Sequence, residues 1–397
     1  MEYTWSIQGN VLTPTGVIQN ATIYIKGKRI DALDAFAQRP ITADAKTIDA
    51  RGYLIAPGYI DAHTHGGSGH DFMHASAGDI ADILGWLATT GVTSVLPTIA
   101  TGPLEEQLRA IKTLREAKER KPRGAQIIGI HLEGPYINPE KRGAQLRESI
   151  REVNLPEMKH MIEAGGGLIK IVTLAPELPG AFELIQFLIE QDVLVSVGHS
   201  SASYDQVMQA AEAGLKRATH LFNAMASFHQ REPGPVGAAL LRDDIYAELI
   251  LDGIHVHPAT AQAVLRMKGL DRLVLISDAI AAAGVSDGIY DGLGGQKIRV
   301  EGGAARLDSG ALAGSTLTMD QAVRNAVQML GLSAEEAIRI ASQTAAESLG
   351  FETQSTKGMI SPGKDADLIV LDDSLSVILT MVAGEVVYQH PDRSLVG

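Results

Sequence analysis

Residues 59–65 read YIDAHTH, a short apolar run that ends in two histidines one position apart. Side chains alternate faces along a strand, so His63 and His65 point the same way. Two imidazoles aimed at one point can hold a metal ion, but they do not complete its coordination. The other ligands must come from distant parts of the chain. How they arrive depends on the strands that follow.

Short apolar runs recur at Tyr59–Ala62, Val92–Leu96, Ile127–Leu132, Leu168–Leu174, Val193–Val197, Arg217–Leu221, Tyr246–Leu251 and Leu273–Ile276. Helix-compatible segments such as AGDIADILGWLATT, LEEQLRAIKTLREAKER and PATAQAVLRMKG lie between most of them. Strand and helix alternating eight times predict an α/β fold, a (β/α)8 TIM barrel. The rival is an open doubly wound sheet, and the Gly-rich dinucleotide fingerprint it often carries is missing after the early strands. Residues 1–56 carry strand and turn signals without helical period, as in ATIYIKGKRI. The far end is similar, with DLIVLDD and ILTMVAGEVVYQ. Neither end has enough core alone. The expectation is a small β-sandwich domain from both chain ends, residues 1–56 and 351–397, around a catalytic barrel of residues 57–350.

Hydrophobic residues make up 45% and charged residues 20% of the 397 positions, the balance of a globular protein. The net charge of −13 argues against a nucleic-acid or anionic-membrane surface. There is no cysteine, so a metal site must use His, Asp, Glu or water. The opening MEYTWSIQGN lacks the charged and apolar regions of a signal peptide, and no apolar run approaches the roughly 20 residues of a membrane span. The expected location is cytoplasmic.

In a barrel of this kind, chemistry sits at the C-terminal ends of the strands. Metal-type residues stand where the apolar runs stop: His63 and His65 on the first, Glu133 on the third, His199 on the fifth, His220 on the sixth and Asp278 on the eighth. Singly, each has a plain explanation. A His-x-His pair arises by chance, a lone histidine is more often a hydrogen-bonded core residue, and a strand-end Asp can cap a helix. Coincidence would have to repeat at five strand ends. Imidazole and carboxylate donors suit Zn²⁺, and also Fe(II) or Mn²⁺. Such an ion lowers the pKa of a bound water toward about 7, and a neighbouring carboxylate, here Asp278, then shuttles the proton.

The motifs PGYIDAHTHGG, HLEGPYINPEKRGAQ, VGHS, THLFNAM, REPG, DGIHV, SDAIAAAG and LAGSTLTM resemble, in order, those of N-acetylglucosamine-6-phosphate deacetylases of the amidohydrolase superfamily. The resemblance implies hydrolysis of the acetamide of N-acetylglucosamine 6-phosphate to glucosamine 6-phosphate and acetate, in amino-sugar catabolism. It implies that Glu133, His199 and His220 hold the principal metal, with His63 and His65 on a second ion and Glu133 bridging. Some family members lack the His pair and use one metal. Where some carry a histidine that orients the substrate carbonyl, this chain has Gln145, after Ala144. Arg231 and His255 correspond to phosphate contacts, Asn223 and Ala224 to sugar contacts, and Leu312, Ala313 and Gly314 to a loop over the substrate. In relatives the phosphate contacts can come from a neighbouring subunit, which implies a homodimer.

Two other readings remain at this stage. An amidohydrolase for a cyclic amide or an N-acyl amino acid would share the metals and Asp278 but need no phosphate site. A non-catalytic barrel scaffold would have shed ligand residues, whereas all six stand here.

Overall fold

A computed structural model describes residues 3–35, 45–292 and 296–396. Eight parallel strands, Tyr59–Thr64, Val92–Ile99, Ile130–Glu133, Ile169–Leu174, Leu194–Val197, Arg217–Ala218, Tyr246–Ile250 and Leu273–Ile276, pair in sequence order. Helices such as Ala77–Thr89, Leu104–Arg120, Leu155–Gly165, Ala181–Glu190 and Tyr204–Glu212 connect them. Their starts follow from local chemistry. Ser76 and Asp79 form a reciprocal cap, as do Ser203 and Gln206. Leu104–Arg120 buries Gln107, Ala110, Ile111, Leu114 and Ala117, one face of a 3.6-residue period. The expected (β/α)8 barrel is the fold observed.

The first and eighth strands meet at the barrel seam through a few well-placed bonds. His63 O accepts from Asp278 N at 2.9 Å, and Ala279 O accepts from His65 N at 2.7 Å and Gly66 N at 3.1 Å. Asp61 reinforces the seam from the first strand. Its Oδ2 accepts from Ser277 Oγ at 2.6 Å and its Oδ1 from Ser277 N at 3.3 Å. Burial pushes the Asp61 carboxyl up to about 6, against the bonds from Ser277 and the His63 N–H, which favour the ionised form.

Both chain ends share one seven-stranded sheet, ordered Glu385–Gln389, Val377–Val382, Leu368–Leu371, Lys46–Pro57, Trp5–Thr13, Gly16–Lys26, Arg29–Asp34. Along Trp5–Thr13 and Lys46–Pro57 the register runs Gly9 to Ala50, then Asn10 to Leu54. That three-residue excursion bends the sheet. A Cβ on Gly9 would lie 2.6 Å from Ala50 O, so only glycine fits the bend. Ile7, Ile23 and Ile48 from one half and Leu368, Val370 and Met381 from the other share a single buried core, as in a small sandwich. A separate three-stranded sheet, Gly288–Asp291, Lys297–Glu301 and Ala304–Leu307, follows the eighth barrel strand. Beside it, Gln296 Nε2 donates to Ala144 O at 2.7 Å, tying this sheet to the barrel mouth.

Ser277→Ala removes the Oγ donor from a fully buried carboxylate and leaves the backbone N–H in place. It should lower unfolding stability by about 1–3 kcal/mol in denaturant titration. A change near zero would mean that backbone donors alone satisfy Asp61.

Candidate active site

Six side chains converge at the C-terminal mouth of the barrel. Glu133 Oε1 lies 3.1 Å from His199 Nε2, 3.0 Å from His220 Nε2 and 3.6 Å from His63 Nε2. Its Oε2 lies 3.3 Å from His65 Nε2. Asp278 Oδ1 is 3.3 Å from both His63 Nε2 and His65 Nε2. The strand-end residues brought together are those expected, and two overlapping sets, Glu133–His199–His220 and His63–His65–Glu133, each have ligand atoms close enough to share one ion.

Backbone conformation helps gather them. His199, His220 and Asp278 all have left-handed φ, at 49°, 31° and 48°. A non-glycine residue there costs about 1–3 kcal/mol, and such strain concentrates at functional sites. Neighbouring bonds hold it in place. Glu177 accepts from Ser200 Oγ at 2.7 Å and Ser201 N at 2.6 Å, beyond His199.

The imidazole partners indicate what belongs between these groups. His199 Nδ1 lies 2.8 Å from Lys141 O, which can only accept. A neutral His199 ring therefore presents a lone pair at Nε2. That lone pair faces Glu133 at 3.1 Å and His220 Nε2 at 3.2 Å. His63 Nδ1 faces Glu248 Oε2 at 3.1 Å, while the buried His63 Nε2 has no hydrogen-bond partner among the described residues. Acceptors aimed at acceptors repel one another, and a shared cation resolves the conflict. The donor set fits a divalent ion.

Protons on the imidazoles are the other way to relieve this repulsion, and they too put positive charge beside the carboxylates. Burial would raise the Glu133 carboxyl, but the charge and hydrogen bond of His199, with bonds from His220 and His65, hold it well below the usual range. Asp278 is also lowered: burial opposes this, and His63 and His65 outweigh it. Burial would depress His65, yet hydrogen bonds to Asp278 and Glu133 lift it to about 10. Two carboxylates this close demand positive charge between them.

A cleft of about 240 Å³ opens over these residues. Of the positions suggested by resemblance, Ala144, Gln145, Asn223, Ala224, His255, Leu312 and Gly314 line it. Ala313 is fully buried, with its N–H on Ala305 O at 3.0 Å. Arg231 is exposed on a turn outside the lining. Gln145 has both ends of its amide engaged. Nε2 donates to Glu133 Oε2 at 2.5 Å, and Oε1 accepts from Thr101 N at 3.1 Å. His255 Nδ1 pairs with Asp252 Oδ2 at 2.7 Å, which leaves Nε2 available to the cleft.

Sequence reading missed the polar floor. His131, Thr173, Ser196, Thr219, Arg217 and Glu248 are all buried inside the barrel. His131 Nε2 meets Thr173 Oγ1 at 2.7 Å, and Thr219 Oγ1 joins Thr173 and Ser196 at 2.7 and 2.6 Å. Burial, then the charge of His63, pushes the His131 ring down to about 3. His63, His131 and Glu248 are close enough to hold an ion. Hydrogen bonds already engage both His131 nitrogens, so this triple is a support rather than a third ion site. The available signal was ionisable residues inside strand runs: His131 in IIGIHLE and Glu248 in YAELI.

Residues 54–387 match the Amidohydrolase family. An N-acetylglucosamine-6-phosphate deacetylase of Bacillus subtilis is 39% identical over 382 residues, 95% of each chain. An N-acetylgalactosamine-6-phosphate deacetylase of Escherichia coli O157:H7 is 40% identical over 376 residues, 94% of this chain and 97% of its own. The crystal structure of N-acetylglucosamine-6-phosphate deacetylase from Pasteurella multocida superposes with a TM-score of 0.91 at 31% identity, covering 97% of this chain and 100% of that one. A mutant of the Mycobacterium smegmatis deacetylase, in complex with N-acetyl-D-glucosamine-6-phosphate, gives 0.89 at 35% identity, with 98% and 100% covered. Motifs, barrel and relatives agree, and the chain belongs to the amidohydrolase family.

Proposed function

We propose that this protein hydrolyses the acetamide of N-acetyl-D-glucosamine 6-phosphate, releasing D-glucosamine 6-phosphate and acetate. The observation that carries the reading is Glu133 facing His199, His220, His63 and His65 with Asp278 alongside, beneath a cleft. The relatives named above supply the substrate class.

Amide hydrolysis needs an activated water, a stabilised oxyanion and a proton for the leaving amine. A divalent ion held by Glu133, His199 and His220, with a second on His63 and His65, supplies Lewis-acid chemistry for the first two; zinc suits the donors best, with Fe(II) and manganese as the other fits. Asp278 supplies the third. Its Oδ1 stands beside both histidines of the first strand and accepts the water's proton, then returns it to the amine nitrogen. The carboxyl is held low, so it is ionised near neutral pH and open to a proton. Gln145 acts on Glu133 by donating to Oε2, which orients the shared carboxylate. His255, fixed by Asp252 through Nδ1, presents its Nε2 edge to the sugar, and Asn223, Ala224, Leu312 and Gly314 shape the walls.

Among the described residues the lining contains no lysine or arginine, although the substrate is an anion. Arg231 meets this need if a neighbouring copy presents it to the cleft. A homodimer is the assembly this reading requires. Phe228 and Leu241, at 56% and 59% exposure in the single chain, offer apolar surface for it. No helix among the described residues is long and apolar enough to cross a membrane, consistent with a cytoplasmic enzyme.

Acetate release from N-acetylglucosamine 6-phosphate is the direct test. The 4-epimer, N-acetylgalactosamine 6-phosphate, belongs in the same assay, because the Escherichia coli relative is named for it. Failure on N-acetylglucosamine 6-phosphate refutes the proposal, and activity on the 4-epimer alone would reassign the substrate. Asp278→Asn should keep its metal yet lower kcat by about 10²–10⁴. Near-normal turnover would remove Asp278 from proton transfer. A base is lost as its carboxylate protonates, so native activity should fall as pH drops toward the acid range and hold near neutrality. Chelation should abolish activity and added Zn²⁺ restore it; activity that survives thorough chelation would rule out a metal role.

A further inference from the structure

We propose that Glu248 is a positioning residue for His63, held in place by Arg217. The inference rests on the metal-dependent reading above.

Glu248 belongs to the seventh barrel strand and lies 185 positions from His63. Its Oε2 faces His63 Nδ1 at 3.1 Å and also accepts the backbone N–H of His220 at 3.2 Å. Its Oε1 accepts from Arg217 Nη2 at 2.7 Å. Arg217 is itself anchored, with Nη1 donating to Ser348 Oγ at 2.5 Å and to Ser348 O at 3.3 Å. Glu248, Arg217 and His63 are each 0% exposed. The carboxylate is thus gripped from three directions and has little freedom to turn.

A carboxylate at this spot places the His63 proton on Nδ1. The Nε2 lone pair is left pointing toward Glu133 and Asp278, and among the described residues it has no hydrogen bond. A ring held in the other tautomer would aim an N–H at the cation position and could not coordinate. A buried Glu–Arg pair is weak evidence for stability alone, because desolvation cancels much of its attraction. Its geometry here is specific to a ligand.

The test is metal binding, read apart from turnover. Chelator-stripped protein is titrated with Co²⁺, followed by its visible absorption, and bound metal is counted by mass spectrometry. His63→Ala identifies the ion that depends on this ring. Glu248→Gln should weaken that same ion by about 10–100-fold and leave any other within a few-fold. The double variant R217M/E248M, which buries no lone charge, should remain folded and show the same selective loss. In the unaltered chain, long-range ¹⁵N–¹H spectra should put the His63 proton on Nδ1, a measurement that no folding defect can obscure. Unchanged binding in Glu248→Gln, equal loss of every ion, no ion that depends on His63, or a proton on Nε2 overturns the inference. Acetate release by a chain that fails this test would leave the deacetylase reading standing. A native chain that binds no divalent ion would sink both.

Discussion

Closure of the barrel between its first and eighth strands is the constraint from which the site follows. Asp278 N bonds to His63 O, and His65 N to Ala279 O. These bonds bring the only two strand ends that each carry chemistry at opposite limits of the barrel sequence into one register. Asp61 and Ser277 tie the same seam from inside. Without closure, Asp278 would lie at one edge of an open sheet and the histidine pair at the other. With it, Asp278 Oδ1 stands equally distant from His63 and His65.

The site also depends on an interior that is polar where many barrels are aliphatic. His131, the threonines at 173 and 219, Arg217 and Glu248 occupy the space beneath the mouth. A buried polar network is costly unless its members are satisfied, and satisfied networks are rigid. That rigidity matters to ligands whose rings must point within a narrow cone. The left-handed residues at three strand ends add local strain, which the seam and Glu177 offset.

Electrostatics divides the protein into scales. The whole chain is strongly acidic, at −13. Salt screens that field beyond about 10 Å, so an anionic substrate responds mainly to groups within the cleft. There, closely spaced carboxylates and imidazoles call for divalent cations. Burial strengthens these short-range terms and weakens competition from water.

Much of this was legible from residue order. Local periodicity encodes strands and helices, so the eight apolar runs and the small sheet from both ends could be read directly. Histidines and carboxylates at the run ends identified the mouth, because strand ends in this fold share one rim. The partners of those residues were not legible. Glu248 against His63 and Lys141 O against His199 are meetings of atoms far apart in sequence. Arg231, read by resemblance as a phosphate contact, stands outside the single-chain cleft. Residue order carries the chemistry each side chain can offer. Only the closed barrel, through strand register and seam bonds, decides which lone pair faces which proton.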